Sequence, residues 1–296
     1  MKNSIFQLPK TMPGPARSVP AFRTAYTPEY FRKRSYIQHK TAIIRSLANL
    51  FEVEGEPLEQ GPRMILLNSR QALEVYHASD SLWYTERSLA NNENIEWSKN
   101  LPDERTAAAM AVEQLEKLGL ANSALRQHSV SYTTLAVARS RREKPVEYKT
   151  ELHNNFVFEL EKLPVFGPGA KVKVSYANGR QLSDLYYFWR IPEMTGETRI
   201  ISPERALDIL SRNARFARLK EGCQVQYASI QLGYYAASPD KIQTTLIPVY
   251  CVKGQVRTPA LPHYEFTLYV HAAASGKTDA AKTNGSILGP TMQKVF

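Results

Sequence analysis

The sequence predicts an α+β protein of repeated units, each one helix with an antiparallel β-meander, two or three of them packed together. Three observations carry that expectation. Helical and strand-like stretches follow one another in the order helix, strands, helix, strands, helix, strands along the chain. Two of the helices open on capping signatures, Asp103-Glu104 and Ser202-Pro203-Glu204, which mark where a unit restarts. Asn178-Gly179 sits between two strand-like runs, and both residues tolerate the positive φ of a tight primed turn, the strongest short hairpin signal in the chain.

Taken in order, residues 1–29 hold five prolines (Pro9, Pro13, Pro15, Pro20, Pro28) and little apolar periodicity, so a basic arm is expected there. A first unit spans 30–100. Its helix follows from Ile37, Ile44, Leu47 and Phe51 recurring at helical spacing among Arg32, Lys33, Arg34, Lys40 and Arg45, an apolar stripe suited to a sheet or to a membrane or partner groove. Met64–Leu67, Ala72–His77 and Leu82–Thr85 then read as a meander. A second unit spans 101–200: a helix over about Glu104–Leu118 with Asp103 as N-cap and Gly119 as stop, then strands at Ser129–Ala138, Asn155–Leu160, Ala170–Tyr176 and Leu182–Arg190. The third, 201–272, begins with a helix from the Ser202 cap to about Leu219 and continues through Cys223–Leu232, Thr244–Val252 and Tyr264–Ala272. Residues 273–296, rich in Ser, Gly, Lys, Thr and Asn, read as a loosely held tail.

The charge is placed unevenly. Residues 1–50 carry nine Lys or Arg against Glu29 alone, which accounts for +8 of the formal net charge of +10. Such an end attracts an anionic surface or nucleic acid, with Arg32, Lys33 and Arg34 as the anion-binding candidates; the plain alternative is a solvated arm. No apolar run approaches the roughly 20 residues of a transmembrane helix. The start lacks the apolar block of a secretory signal, which favours the cytoplasm, and Asn284-Gly285-Ser286 then reads as an accidental glycosylation match.

No spacing that carries a catalytic mechanism is present: no phosphate loop, no His-Glu-x-x-His, no Gly-x-Ser-x-Gly, no Cys-x-x-Cys. Six scattered histidines offer no helical pair for zinc, and nothing calls for a cofactor. Cys223 and Cys251 read as buried thiols rather than a disulfide framework. Two enzyme readings stay open beside their structural alternatives. If the last strands pair, His263 and His271 come near Cys251 in a geometry that suits a thiolate–imidazolium nucleophile, and Asp80, Glu86, Glu93 and Glu96 surround Trp83-Tyr84 and Trp97 as acid–base groups would around a sugar. Absence of motifs leaves a dispersed site, such as that of a cyclase or hydrolase, as the alternative to binding.

The aromatic clusters carry the binding reading. Trp83 and Tyr84 lie in one strand, Tyr187, Trp189 and Arg190 close another, and Tyr234 and Tyr235 end a third; Tyr, Trp and Arg dominate binding hot spots as well as cores. Alternation sends Tyr187 and Trp189 to one face and Tyr186 and Phe188 to the other. Leu101-Pro102-Asp103-Glu104, Phe166-Gly167-Pro168-Gly169-Ala170-Lys171-Val172-Lys173-Val174 and Ser202-Pro203-Glu204-Arg205-Ala206-Leu207 resemble the duplicated PepSY-like modules of bacterial proteins, including regulators of the YycH and YycI kind. The resemblance spans about residues 40–272 in layout. It implies a cystatin-like helix on a small sheet in each unit, and binding or inhibition in place of catalysis. The chain departs from it in lacking a secretion signal or anchor, and no functional residue is carried over. The expected function is therefore non-catalytic binding, of a protein partner first, through an aromatic sheet surface.

Overall fold

A computed structural model describes residues 6–14, 16–24, 36–90, 94–138, 140, 143–213, 216, 219, 222–258, 264–274 and 287–294. Its strands are β1 (Phe6–Gln7), β2 (Ser18–Thr24), β3 (Leu58–Gln60), β4 (Arg63–Leu67), β5 (Gln71–Tyr76), β6 (Leu82–Glu86), β7 (Leu125–Val137) and β8 (Val146–Leu160). They continue as β9 (Leu163–Phe166), β10 (Lys171–Ala177), β11 (Gln181–Phe188), β12 (Pro192–Arg199), β13 (Gln224–Tyr235), β14 (Ile247–Arg257), β15 (Tyr264–His271) and β16 (Ile287–Lys294). The helices are α1 (Tyr36–Phe51), the single turn α2 (Arg87–Ala90), α3 (Glu104–Lys117) and α4 (Pro203–Ser211).

Fourteen strands form one sheet in the order β16-β15-β14-β13-β9-β8-β10-β11-β6-β5-β4-β3, with β1 added to β13 and β7 to the other edge of β8. Every ladder in it is antiparallel except β9–β13 and β1–β13. β2 and β12 make a separate ribbon whose Val19 and Phe22 are buried; Phe22 meets the Tyr234 ring edge-on at 5.2 Å, and the Tyr234 hydroxyl donates to the Pro20 carbonyl at 2.7 Å.

This corrects the expected architecture. The protein is 49% strand against 19% helix, a large mixed sheet in place of repeated helix-plus-meander units. Strand pairings cross the expected unit boundaries: β6 pairs with β11, and β9 pairs with β13. The physical reason is that a short meander read locally looks self-contained, yet it leaves two unpaired edges, and joining those edges satisfies backbone groups that would otherwise be exposed. Residues expected as arm and tail also enter the sheets, as β1, β2 and β16.

Local chemistry fixes the elements that were easiest to read. The Asp103 carboxylate accepts from the Thr106 amide at 2.9 Å and caps α3, which buries Ala107, Ala111 and Leu115. Asn178 and Gly179, at φ 44° and 86°, turn β10 into β11. Ser202 caps α4 as its sequence signature requires, but the helix stops at Ser211, short of Leu219. Ser211 there donates its hydroxyl to the Asp208 carbonyl at 2.8 Å, the local bond by which Ser competes with helix continuation.

Cross-strand register divides the sheet between β4 and β7 into two unlike faces. One face carries Met64, Val75, Leu82, Tyr187, Val172 and Phe156 in a row, and beside it Leu66, Leu73, Tyr84, Leu185 and Val174. α1 packs here through Ile44, Ala48 and Phe51, the Phe51 ring stacking on Tyr84 at 4.6 Å. The opposite face carries the candidate site.

Candidate functional site

The second face is built from residues that alternate with the core. Register lines up Glu74, Trp83, Tyr186, Lys173, Asn155 and Ser129 across six strands, and next to them Thr85, Asp184, Ser175, His153 and Ser131. Trp83 stacks on Tyr186 at 5.0 Å with planes 16° apart, and Lys173 Nζ lies 4.4 Å from the Tyr186 ring centre. The Trp83 indole N–H donates to Asp184 at 2.7 Å, and Lys173 pairs with the other Asp184 oxygen at 3.0 Å. Burial pushes the Asp184 carboxyl up, and Lys173 and the indole N–H pull it part of the way back.

Further along the face the polar side chains lock one another. His153 Nδ1 is 2.8 Å from Ser175 Oγ and its Nε2 is 2.8 Å from Thr133 Oγ1. Ser183 donates to Glu151 at 2.6 Å, and the second Glu151 oxygen stands 3.7 Å from His153 Nε2. Burial lowers the His153 pKa, Glu151 opposing and Lys173 adding to that shift. Ser175 is fully buried, so the Ser–His–Glu grouping is a packed network with its hydroxyl turned away from solvent.

Beside the network the face opens into a groove of about 550 Å³, whose polar lining is His128, Ser129, Asn155, Lys171, Lys173 and Tyr186. His128 stands at a β-bulge between Gln127 and Ser129, which aims an extra exposed side chain toward this opening. Among the described residues, the charged side chains lining it are Lys171 and Lys173, joined by His128, and none is a carboxylate.

The residues singled out from sequence fall in different places. Trp83 lies in this face. Tyr235 lies on the continuation of the same face across β9, tilted against Tyr269 at 5.1 Å. Tyr84, Trp189 and Tyr234 are buried in the core, Trp189 stacking on Phe158 at 3.8 Å. Tyr187 is half-buried on the core side, its hydroxyl accepting from Asn122 at 3.0 Å. Arg190 is 3% exposed and donates to the carbonyls of Ala237, Ser238 and Lys241 at 2.6–2.8 Å, a clamp on the loop after β13. Arg32, Lys33 and Arg34 lie outside the described residues; Lys40, counted in the same basic region, is buried against Asp80.

The last strands pair as the thiol reading requires, with His271 opposite Val249 and so two positions along β14 from Cys251 on the same face, but the thiol itself is not activated. Cys251 and Cys223 are free, buried thiols, and burial pushes Cys251 up to about 11, away from the thiolate a nucleophile needs. His263 and Glu93 lie outside the described residues. Glu86 pairs with Arg70 at 3.5 Å, Glu96 with Lys99 at 2.7 Å, and Asp80 with Lys40. Among the described residues no group of His, Cys, Asp and Glu is arranged to hold a metal ion, and no helix is long and apolar enough to cross a membrane.

Tyr186, Lys173, Lys171 and Asn155 were missed from sequence, though one signal bore on them. In Asp184-Leu185-Tyr186-Tyr187 the leucine marks the inward position, which sends Tyr187 inward and Tyr186 out, and Val172 and Val174 do the same for Lys171 and Lys173.

No family model matches the chain, and no curated protein does. Among solved structures, an uncharacterized protein from Eubacterium rectale ATCC 33656 is similar at 9% identity and a TM-score of 0.47, over 93% of this chain and 91% of that one.

Proposed function

We propose that this chain is a non-catalytic binding protein that takes an acidic stretch of a protein partner on the outer face of its sheet. The observation that carries this is the groove lined by Lys171, Lys173 and His128, with no carboxylate among the described residues that line it, floored by Tyr186 and continuous with the stacked Trp83. Lys171 is exposed and supplies a cation not engaged by Asp184, while Ser129 and Asn155 offer hydrogen bonds to a peptide backbone or carboxylate. Aromatic and cationic side chains set together on a rigid sheet suit recognition, because their geometry costs little entropy to hold.

The test is calorimetric titration with a peptide of four Glu-Tyr repeats and with its Lys-Tyr counterpart. The acidic peptide should bind saturably and weaken about tenfold or more in Lys171→Glu, the size expected when an attractive rim charge becomes repulsive. Tyr186→Ala should weaken it as well. Equal binding of both peptides, or indifference to Lys171→Glu, would count against the reading.

A further inference from the structure

We propose that the outer edge of β7 is a self-association surface, on which the β7 strand of a second copy of this chain pairs antiparallel about a two-fold axis. This goes beyond the groove reading and does not depend on it. β7 pairs with β8 along Leu125–Val137, and among the described residues no strand pairs with its other edge. Ser129, Ser131, Thr134 and Ala136 are exposed. Alternate residues of such an edge turn their N–H and C=O groups outward, a row of bonding groups that another strand can take up.

The other outer strands of the sheet are protected. β1 and β3 are only two and three residues long. β16 carries Gly289 and Pro290 mid-strand, and proline has no N–H to give. β7 has no such device: over Ser129–Val137 it holds no charge, proline or glycine, while Val130, Tyr132, Thr133, Thr134 and Val137 favour an extended backbone. This chemistry chooses the occupant. A run without charge gives an acidic or basic segment nothing to pair with, whereas a copy of itself matches it in length and brings no like charges opposite. The ladder with β8 is irregular between Thr133 and Thr134, but the extra residue there is Thr150 of β8, so β7 itself stays regular over this run. The run overlaps itself completely only with the axis at Thr133, which sets Ser129 opposite Val137, Ser131 opposite Leu135 and Tyr132 opposite Thr134, each pair sharing a face. Because that axis stands normal to the sheet, both outer faces stay on one side, and the paired chains present their two lysine grooves on a single surface.

Sedimentation velocity of the full chain over a concentration series reads the association. The parent should dimerise, and hydrogen exchange at residues 129–137 should slow as concentration rises. Ser131→Lys combined with Leu135→Lys sets two lysine pairs across the axis and should weaken the dimer about tenfold or more. Ser131→Glu combined with Leu135→Lys sets opposite charges across the same axis and should restore it, a recovery that damage to the fold would not allow. Lys171→Glu should leave the dimer unchanged. The proposal is overturned if the parent is a monomer at about 100 µM, where a micromolar dimer is largely formed. It is equally overturned if the lysine pair has no effect, if both double variants weaken the dimer alike, if Lys171→Glu breaks it, or if residues 129–137 exchange at the same rate at every concentration.

Discussion

Lys40 and Asp80 form a buried ion pair whose two ends are not equivalent, and the asymmetry is measurable. The Lys40 side chain, on α1, is wholly buried, whereas Asp80, in the β5–β6 turn at φ 52°, keeps 28% of its side chain exposed. Burial lowers Lys40 from 10.5 to about 8 and raises Asp80 from 3.8 to about 7. For Lys40 that corresponds to about 3 kcal/mol against the charged form, at about 1.4 kcal/mol per tenfold. Asp80→Asn takes the carboxylate from a fully buried ammonium and should cost about 3–5 kcal/mol. Lys40→Met leaves a carboxylate that water reaches and fills the space with an apolar chain, so about 1–2 kcal/mol is expected. The double variant should return to within about 1 kcal/mol of the parent, since both charges leave together. Urea unfolding of the four proteins at pH 7 reads this, provided the m-values agree. The pH response has a defined sign. Because the folded pKa of Lys40 lies below its unfolded value, the unfolded chain holds more protons between about 8 and 10.5, and stability rises with pH across that window. The Asp80→Asn deficit should therefore narrow as pH rises toward about 8, where the parent's Lys40 also becomes neutral, and stay level above it. The reasoning is refuted if Asp80→Asn costs no more than Lys40→Met, or if the double variant is no better than Asp80→Asn.

Three further outcomes follow from the same physics. Asn154 is fully buried on the core face, with neither amide atom hydrogen-bonded, so Asn154→Leu should raise stability by about 1–2 kcal/mol in chemical unfolding. Arg190→Met removes three donated bonds from the loop after β13 and should cost about 3 kcal/mol, with hydrogen exchange accelerated at residues 236–243. His153 is held neutral by burial, so its folded pKa lies below 6.5 and the unfolded chain takes up the proton first on acidification; stability is lost as pH falls from 6.5 toward the folded value, and His153→Gln should flatten that part of the pH profile.

How much of this was legible in the sequence depended on the range of the forces involved. The α3 helix, its Asp103 cap and the Asn178-Gly179 hairpin depend on neighbours within a few residues, and their signals sit in the sequence where the structure uses them. The partner of β6 does not. Nothing near Trp83 says that Tyr186 will lie across from it, because that pairing is set by which exposed edges find each other after the meanders form. The same limit explains why the expected units dissolved into one sheet. Burial of Tyr84, Trp189 and Tyr234 was open to either reading, since an aromatic side chain serves a core and a recognition surface by the same large apolar area.

One local irregularity links the fold to the candidate site. From the Asn178-Gly179 turn a regular ladder would set Ser175 opposite Ser183 and Lys173 opposite Leu185. The register instead shifts by one residue, so that Ser175 meets Asp184 and Lys173 meets Tyr186. Ser183 is the extra residue, and its hydroxyl donates to Glu151 of β8 at 2.6 Å, which ties the bulge to a strand that is not its neighbour in the hairpin. A one-residue change of register exchanges the two faces of a strand. Without the bulge, Tyr186 and Phe188 would turn toward α1 and the core, and Leu185 and Tyr187 would turn outward beside Lys173. The stack on Trp83, the cation over Tyr186 and the aromatic floor of the groove thus follow from one inserted serine and the carboxylate that holds it, so the polar network around Glu151 positions the candidate site beside it.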